Sequence, residues 1–231
     1  MTLHVECALG YHGSPLEYSK RDTVITVVGN ALRFFDLRTG NQTFLWGADR
    51  AISTFAVNHV TNLVAYVTKG TAPIVYVHDM TTHQLLEKYT AVAELEIGAL
   101  AFSRTGDRFV TVAKEPDLKL IVWDVENGEK VVETVATAEV ESITVNPADS
   151  DLMCAQGNGV CTIYEVDKCH KTLSINIKPI DTEGLVPICH QWFPGGYLYL
   201  GCEGGEIIVV NAKTCAIVPC MGHAWCTLNS P

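Results

Sequence analysis

Leu118-Lys119-Leu120-Ile121-Val122-Trp123-Asp124, then Glu126-Asn127-Gly128-Glu129, then Val131-Val132-Glu133-Thr134-Val135, is the stretch from which the rest of the chain can be read. The first run is apolar and β-branched and closes on an aromatic–acid pair. The tetrapeptide is turn chemistry, and its Asn-Gly suits the primed geometry of a tight hairpin. The last run is a more polar strand. Upstream, residues 97–102 alternate weakly and read as an inner strand. Thr105-Gly106-Asp107 is a turn in which Gly can take positive φ, and residues 109–113 form a second strand. Residues 97–135 therefore predict four strands joined by short turns.

The aromatic–acid pair recurs. Phe35-Asp36, His78-Asp79, Trp123-Asp124, Tyr164-Glu165 and Val210-Asn211 each close a β-rich run and precede a polar turn, at spacings of 43, 45, 41 and 46 residues. A second column moves in step: Val57-Asn58-His59, Phe102-Ser103, Val145-Asn146-Pro147 and Trp192-Phe193-Pro194, spaced 45, 43 and 47 residues apart. Self-similarity at 40–45 residues, with such a pair closing a strand, resembles the blade of a WD40 β-propeller. The fold class expected is all-β, about five four-stranded blades and the start of a sixth, part of a seven-bladed ring. The stretch 1–19 reads as a lead-in, 20–221 as blades one to five, and 222–231, opened by Gly222-His223, as the start of a truncated sixth blade. A blade-to-blade connection is preferred over a helical turn at 92–97. An incomplete ring would expose two blade faces, so the expectation is a fragment or a ring completed by a partner.

Composition bounds the function. The hydrophobic fraction is 48% and the apolar runs are of strand length, so no membrane-spanning helix is expected. The first residues carry no basic region followed by an apolar core, and cytosolic residence is the default. The sequon at Asn41 is then expected to be unused. A net charge of −10 disfavours nucleic acid and anionic membranes. It leaves acidic patches such as Glu94/Glu96 and Glu115/Asp117 to meet a basic surface. Nine cysteines, eight of them from Cys154 onward, show no Cys-x-x-Cys spacing, and the expectation is buried structural thiols without metal or disulfide. Eight histidines are scattered over the blades. Asp107 reads as hydrogen-bonding within its turn. No catalytic constellation, phosphate loop, cofactor site or metal set emerges, and no enzyme is expected.

Beyond the blade pattern, a more specific likeness runs through residues 20–215. Trp192-Phe193-Pro194-Gly195-Gly196-Tyr197-Leu198-Tyr199-Leu200-Gly201 resembles a late blade of the large cilia- and flagella-associated WD-repeat proteins. Thr71-Ala72-Pro73-Ile74, Glu115-Pro116-Asp117 before Leu118, Val145-Asn146-Pro147 and Val27-Val28-Gly29-Asn30-Ala31-Leu32-Arg33-Phe34 are similar too. The resemblance implies a scaffold of the motile axoneme that helps hold inner dynein arm motor domains against the doublet. Its partners would then be axonemal WD-repeat proteins, inner-arm dynein and doublet-associated proteins, and it would reside in cytoplasm, cytoskeleton and cilium. Two other readings stay open: a cytosolic WD40 adaptor in ubiquitin-ligase, trafficking or ribosome-assembly complexes, and an enzyme using the propeller channel.

Overall fold

A computed structural model describes residues 16–218 apart from 21, 48, 170 and 171, and assigns strands and turns with no helix among them. The first antiparallel sheet holds β1 (Leu16–Lys20), β2 (Thr23–Val28), β3 (Ala31–Asp36) and β4 (Gln42–Trp46). The second holds β5 (Ile52–Asn58), β6 (Leu63–Thr68), β7 (Val75–Asp79) and β8 (Leu85–Tyr89), and the third β9 (Ile97–Phe102), β10 (Arg108–Ala113), β11 (Lys119–Asp124) and β12 (Lys130–Val135). The fourth holds β13 (Ser142–Asn146), β14 (Asp149–Gly157), β15 (Val160–Cys169) and β16 (Thr172–Pro179). The fifth holds β17 (Pro187–Phe193), β18 (Tyr197–Cys202) and β19 (Ile207–Asn211). Within every sheet the strands pair in chain order, each with its sequence neighbour.

The sheets stack face to face along the chain, and the first strands of successive sheets (β1, β5, β9, β13) lie side by side. Four buried cores result, between sheets one and two, two and three, three and four, and four and five. This stacking explains why the middle strands alternate so weakly. β6, Leu63-Val64-Ala65-Tyr66-Val67-Thr68, is buried at all six positions because it meets a neighbouring sheet on each face. The outer strand β8 meets water and is exposed at four of its five positions.

The structure departs from the sequence reading in four places. First, the opening sheet gains its edge strand, Leu16–Lys20, from within the stretch read as a lead-in. Second, the Asn127-Gly128 turn is not of the primed type: only Gly128 has positive φ, 69°, and Asn127 does not. A primed turn needs both central residues there. The Asp124 carboxylate prevents this by accepting the Asn127 N–H at 2.8 Å, which holds Asn127 on the right-handed side. Third, Tyr164-Glu165 does not end a strand. β15 runs on to Cys169 and pairs with β16 in unbroken register from Thr162↔Pro179 to Cys169↔Thr172. Fourth, the expected outer strand of the fifth sheet is a single bridge, Val210↔Ile217. The stretch 222–231 lies outside the described residues.

Candidate interaction surfaces

The residues of the aromatic–acid column do two different jobs. The acid or amide is a turn cap. Asp36 Oδ1 accepts the N–H groups of Arg38 and Thr39, Asp79 Oδ1 those of Thr81 and Thr82, and Asn211 Oδ1 those of Lys213 and Thr214, all between 2.7 and 3.2 Å. Four residues after each cap comes a residue in the left-handed region: Gly40, His83, Gly128 and Cys215. Hydrogen bonds from the backbone N–H groups of Thr39 and Thr82, ahead of all other causes, hold the Asp36 and Asp79 carboxyls below the usual carboxylate range. Glu165 is one methylene longer. Its carboxylate reaches across the ladder to Lys178 Nζ at 2.6 Å instead of capping its own turn, and the strand continues. The three strands that reach Asp36, Asp79 and Asp124 end there, and the one that reaches Glu165 runs on.

In four of the five pairs the first member packs between blades. Trp123 stacks on Phe109 at 6.1 Å, meets Tyr89 of the preceding sheet edge-on at 5.3 Å, and donates its indole N–H to Thr111 Oγ1 at 3.0 Å. Tyr164 and Val210 are buried in the same way, whereas Phe35 stays half-buried under the Arg33 guanidinium, 5.8 Å from its ring centroid. His78 is buried against Tyr66 at 5.5 Å and donates Nδ1–H to the His83 carbonyl at 3.2 Å. Its Nε2 is buried without a partner.

Each interface adds polar latches to its apolar core. Between sheets one and two, the His83 ring stacks on Phe34 at 5.1 Å and His59 Nδ1 lies 3.2 Å from the Ser19 carbonyl. Between two and three, Asn58 is 4% exposed and all its hydrogen bonds are made. Its Nδ2 donates to the carbonyls of Ser103 (2.6 Å) and Arg104 (3.2 Å), and its Oδ1 accepts from the N–H groups of Val60 and Thr61. The Tyr89 hydroxyl donates across the same interface to the Asp124 carbonyl at 3.2 Å. Burial pushes that hydroxyl up to about 12, so it remains a donor. Between three and four, Arg108 pairs with Asp151 at 2.8 Å, and Lys168 reaches the other oxygen of that carboxylate at 2.7 Å. Between four and five, Trp192 donates Nε1–H to Thr144 Oγ1 at 2.8 Å, and the same hydroxyl lies 2.8 Å from His190 Nε2. Asp107 accepts the hydroxyls of Ser103, at 2.7 Å, and Thr105 within its own turn.

Asn58 joins two blades, so its loss has a measurable cost. Asn58→Ala strips partners from two backbone N–H groups and two carbonyls at a buried seam, and about 2–3 kcal/mol of stability is expected to go with them. Urea unfolding followed by tryptophan fluorescence measures it. A loss under about 0.5 kcal/mol would mean that water replaces the latch without penalty.

The first and fifth sheets each keep one face that no described sheet covers. Register places Tyr18, Val24, Phe35 and Gln42 in one row of the first face, flanked by Leu16 with Arg33 and Phe44, and by Val28 with Trp46. Tyr18 and Trp46 are about half exposed, at 52% and 53%, and Trp46 stacks on Phe44 at 5.9 Å. On the fifth sheet, Phe193, Tyr197, Tyr199, Ile207 and Val209 share the outward face; Phe193 is 55% exposed and leans on Tyr199 at 4.7 Å. Phe193 occupies the position that buried Asn58, Ser103 and Asn146 hold in the three preceding blades. An exposed apolar ring there, in place of a satisfied polar group, marks a face suited to docking.

Among the described cysteines most are buried, as expected, but Cys189 is exposed. Cys154, Cys161 and Cys202 are buried in the core between sheets four and five with Cys215 at its margin, and burial raises the Cys154, Cys202 and Cys215 thiols. Thiols held in that form are poor nucleophiles. Among the described residues no group of three His, Cys, Asp or Glu side chains could hold a metal ion. A notch lined by Thr137, Glu139, Val160, Thr162 and Tyr164 has room for about one water.

The fold is shared with a solved structure. The Cps50 (Swd1) β-propeller domain of Myceliophteria thermophila superposes with a TM-score of 0.56 at 18% identity, over 72% of this chain and 52% of that one. The fold is that of a WD40 β-propeller. No protein-family model matches the sequence. Cilia- and flagella-associated protein 43 of Chlamydomonas reinhardtii is 26% identical over 97% of this chain, and that of Xenopus laevis 21% identical over 92%. WD repeat-containing protein 90 of Mus musculus is 26% identical over 78% of it. The chain is thus a WD-repeat homologue of these proteins, and the resemblance read from its blades holds. It spans only 15% and 16% of the two cilia- and flagella-associated proteins and 10% of WD repeat-containing protein 90. No helix among the described residues is long and apolar enough to cross a membrane.

Proposed function

We propose that the chain is a non-enzymatic WD-repeat scaffold of the motile cilium or flagellum axoneme. One observation carries the reading: similarity along nearly the whole chain to cilia- and flagella-associated protein 43 from an alga and from vertebrates. Its finer form is a part in tethering the motor domains of inner dynein arms to the doublet, with other axonemal WD-repeat proteins as immediate partners. The surface chemistry supports a binding role. It offers two apolar sheet faces and a net charge of −10. Further blades of a seven-bladed ring are the covering proposed for the two faces.

The test is localisation with function. A fluorescently tagged protein is expected along motile cilia, and its loss is expected to alter the beat while leaving cilium assembly intact. A tagged protein that never enters a cilium would sink the proposal and leave the cytosolic adaptor reading in its place.

A further inference from the structure

The outer edge of the fourth sheet differs from those of its neighbours. β16 is eight residues long and ends its sheet. The Ile180 N–H donates to the Cys161 carbonyl at 3.0 Å, which fixes the phase of the β15–β16 ladder. Bonded and non-bonded pairs alternate in an antiparallel ladder. With the register unbroken, the backbone groups of Ser174, Asn176 and Lys178 turn towards β15, and those of Leu173, Ile175 and Ile177 turn away. Among the described residues no backbone group pairs with that outward row.

Sheets usually blunt such edges with charge, bulges or brevity. β8 and β12 each carry a bulge, with Glu87 and Lys88 on one and Lys130 and Glu133 on the other. β4 has five residues. β16 has no bulge and no charge before Lys178. Ile175 and Ile177 pack on the core between sheets three and four, and Leu173, on the same face, stays 40% exposed. A strand laid along this edge would continue that apolar row and cover Leu173. Pro179, lacking an N–H, would end the ladder.

We propose that the edge of β16 from Leu173 to Ile177 is a β-augmentation site for an extended segment of a partner protein, apolar at alternate positions and flanked by basic residues. Main-chain bonds to Leu173, Ile175 and Ile177 supply the affinity, and the alternating side chains supply the selectivity. The chain's net charge of −10 favours a basic segment over a second copy, because two copies brought edge to edge repel.

Amide hydrogen exchange in the full chain tests this, with a synthetic peptide of alternating Val and Thr and a Lys at each end as probe. In the free protein the amides of Leu173, Ile175 and Ile177 are expected to exchange at least about tenfold faster than those of Ser174, Asn176 and Lys178. The peptide is expected to slow those three, and a version N-methylated on its pairing edge is not. Ile175→Pro removes a central outward donor without touching the β15 ladder, and is expected to abolish the protection; Leu173→Pro, at an exposed position, serves if the first variant does not fold. Slow exchange of the three amides before peptide is added would overturn the proposal. So would peptide protection centred elsewhere, equal binding by the proline variants, or protection that grows with protein concentration alone, the signature of a second copy.

Discussion

Replacing Trp123 with alanine is expected to cost about 3–5 kcal/mol of stability, a large part of the roughly 5–15 kcal/mol that holds a domain together. The ring fills the core between sheets two and three, against Phe109 on its own sheet and Tyr89 on the neighbouring one. Its indole N–H satisfies Thr111 Oγ1, which is itself buried. Alanine leaves a cavity and an unpaired hydroxyl together. Trp123→Phe keeps most of the ring and loses the hydrogen bond, so about 1–2 kcal/mol is expected. Equilibrium unfolding in urea separates the two variants. If Trp123→Ala cost under about 1 kcal/mol, the interface would not be a close-packed seam.

Mild acid is expected to loosen the blade seams through three histidines. Burial lowers His78, His83 and His190 from the ordinary value of 6.5, and His190 falls to about 4. Each is a base whose neutral form the fold prefers, so below 6.5 the unfolded chain binds more protons than the folded one. The stability they contribute is fully present above 6.5. It is lost as pH falls from there towards 4, where His190 protonates in the folded chain as well. The geometry explains the preference: protonated His78 would carry a proton on a buried Nε2 with no acceptor, and His190 Nδ1 is likewise buried without a partner. For His190 the loss approaches about 3 kcal/mol over that window. The carboxyls of Asp36, Asp79, Asp107 and Asp151 are held below 3.8 and titrate under the window, whereas burial raises Glu17, which opposes the histidine trend as pH falls. Unfolding free energy measured at pH 7.5 and 4.5 is expected to fall in the native chain, and by distinctly less in His190→Gln. Equal slopes in the two proteins would contradict the assignment.

The fold was legible because the repeat is written in side-chain chemistry of short range. An Asp or Asn at the end of a strand bonds the N–H groups two and three residues on, and the left-handed residue follows at a fixed distance. The same chemistry explains the miss at Glu165, where an acid in the right column has the wrong length. Leu16–Lys20 escaped notice because the column marks third strands, and the first sheet has no preceding blade to mark its first one. The candidate surfaces were less legible. Asn58 stood in the second column and Thr144 just ahead of it, but their partners lie on the next blade, 45 and 46 residues away, where no local pattern points. A polar residue that ends an apolar strand at the same place in each repeat was the available signal. The outward edge of β16 needed the phase of its ladder, which only coordinates supply.

The axonemal role proposed for this WD-repeat chain has a direct test. Cryo-electron tomography of motile cilia carrying a density label on the chain tests it most directly. Label density is expected to repeat along the doublet beside the heads of inner dynein arms. Label absent from the doublets, in cilia that beat normally without the protein, would contradict it.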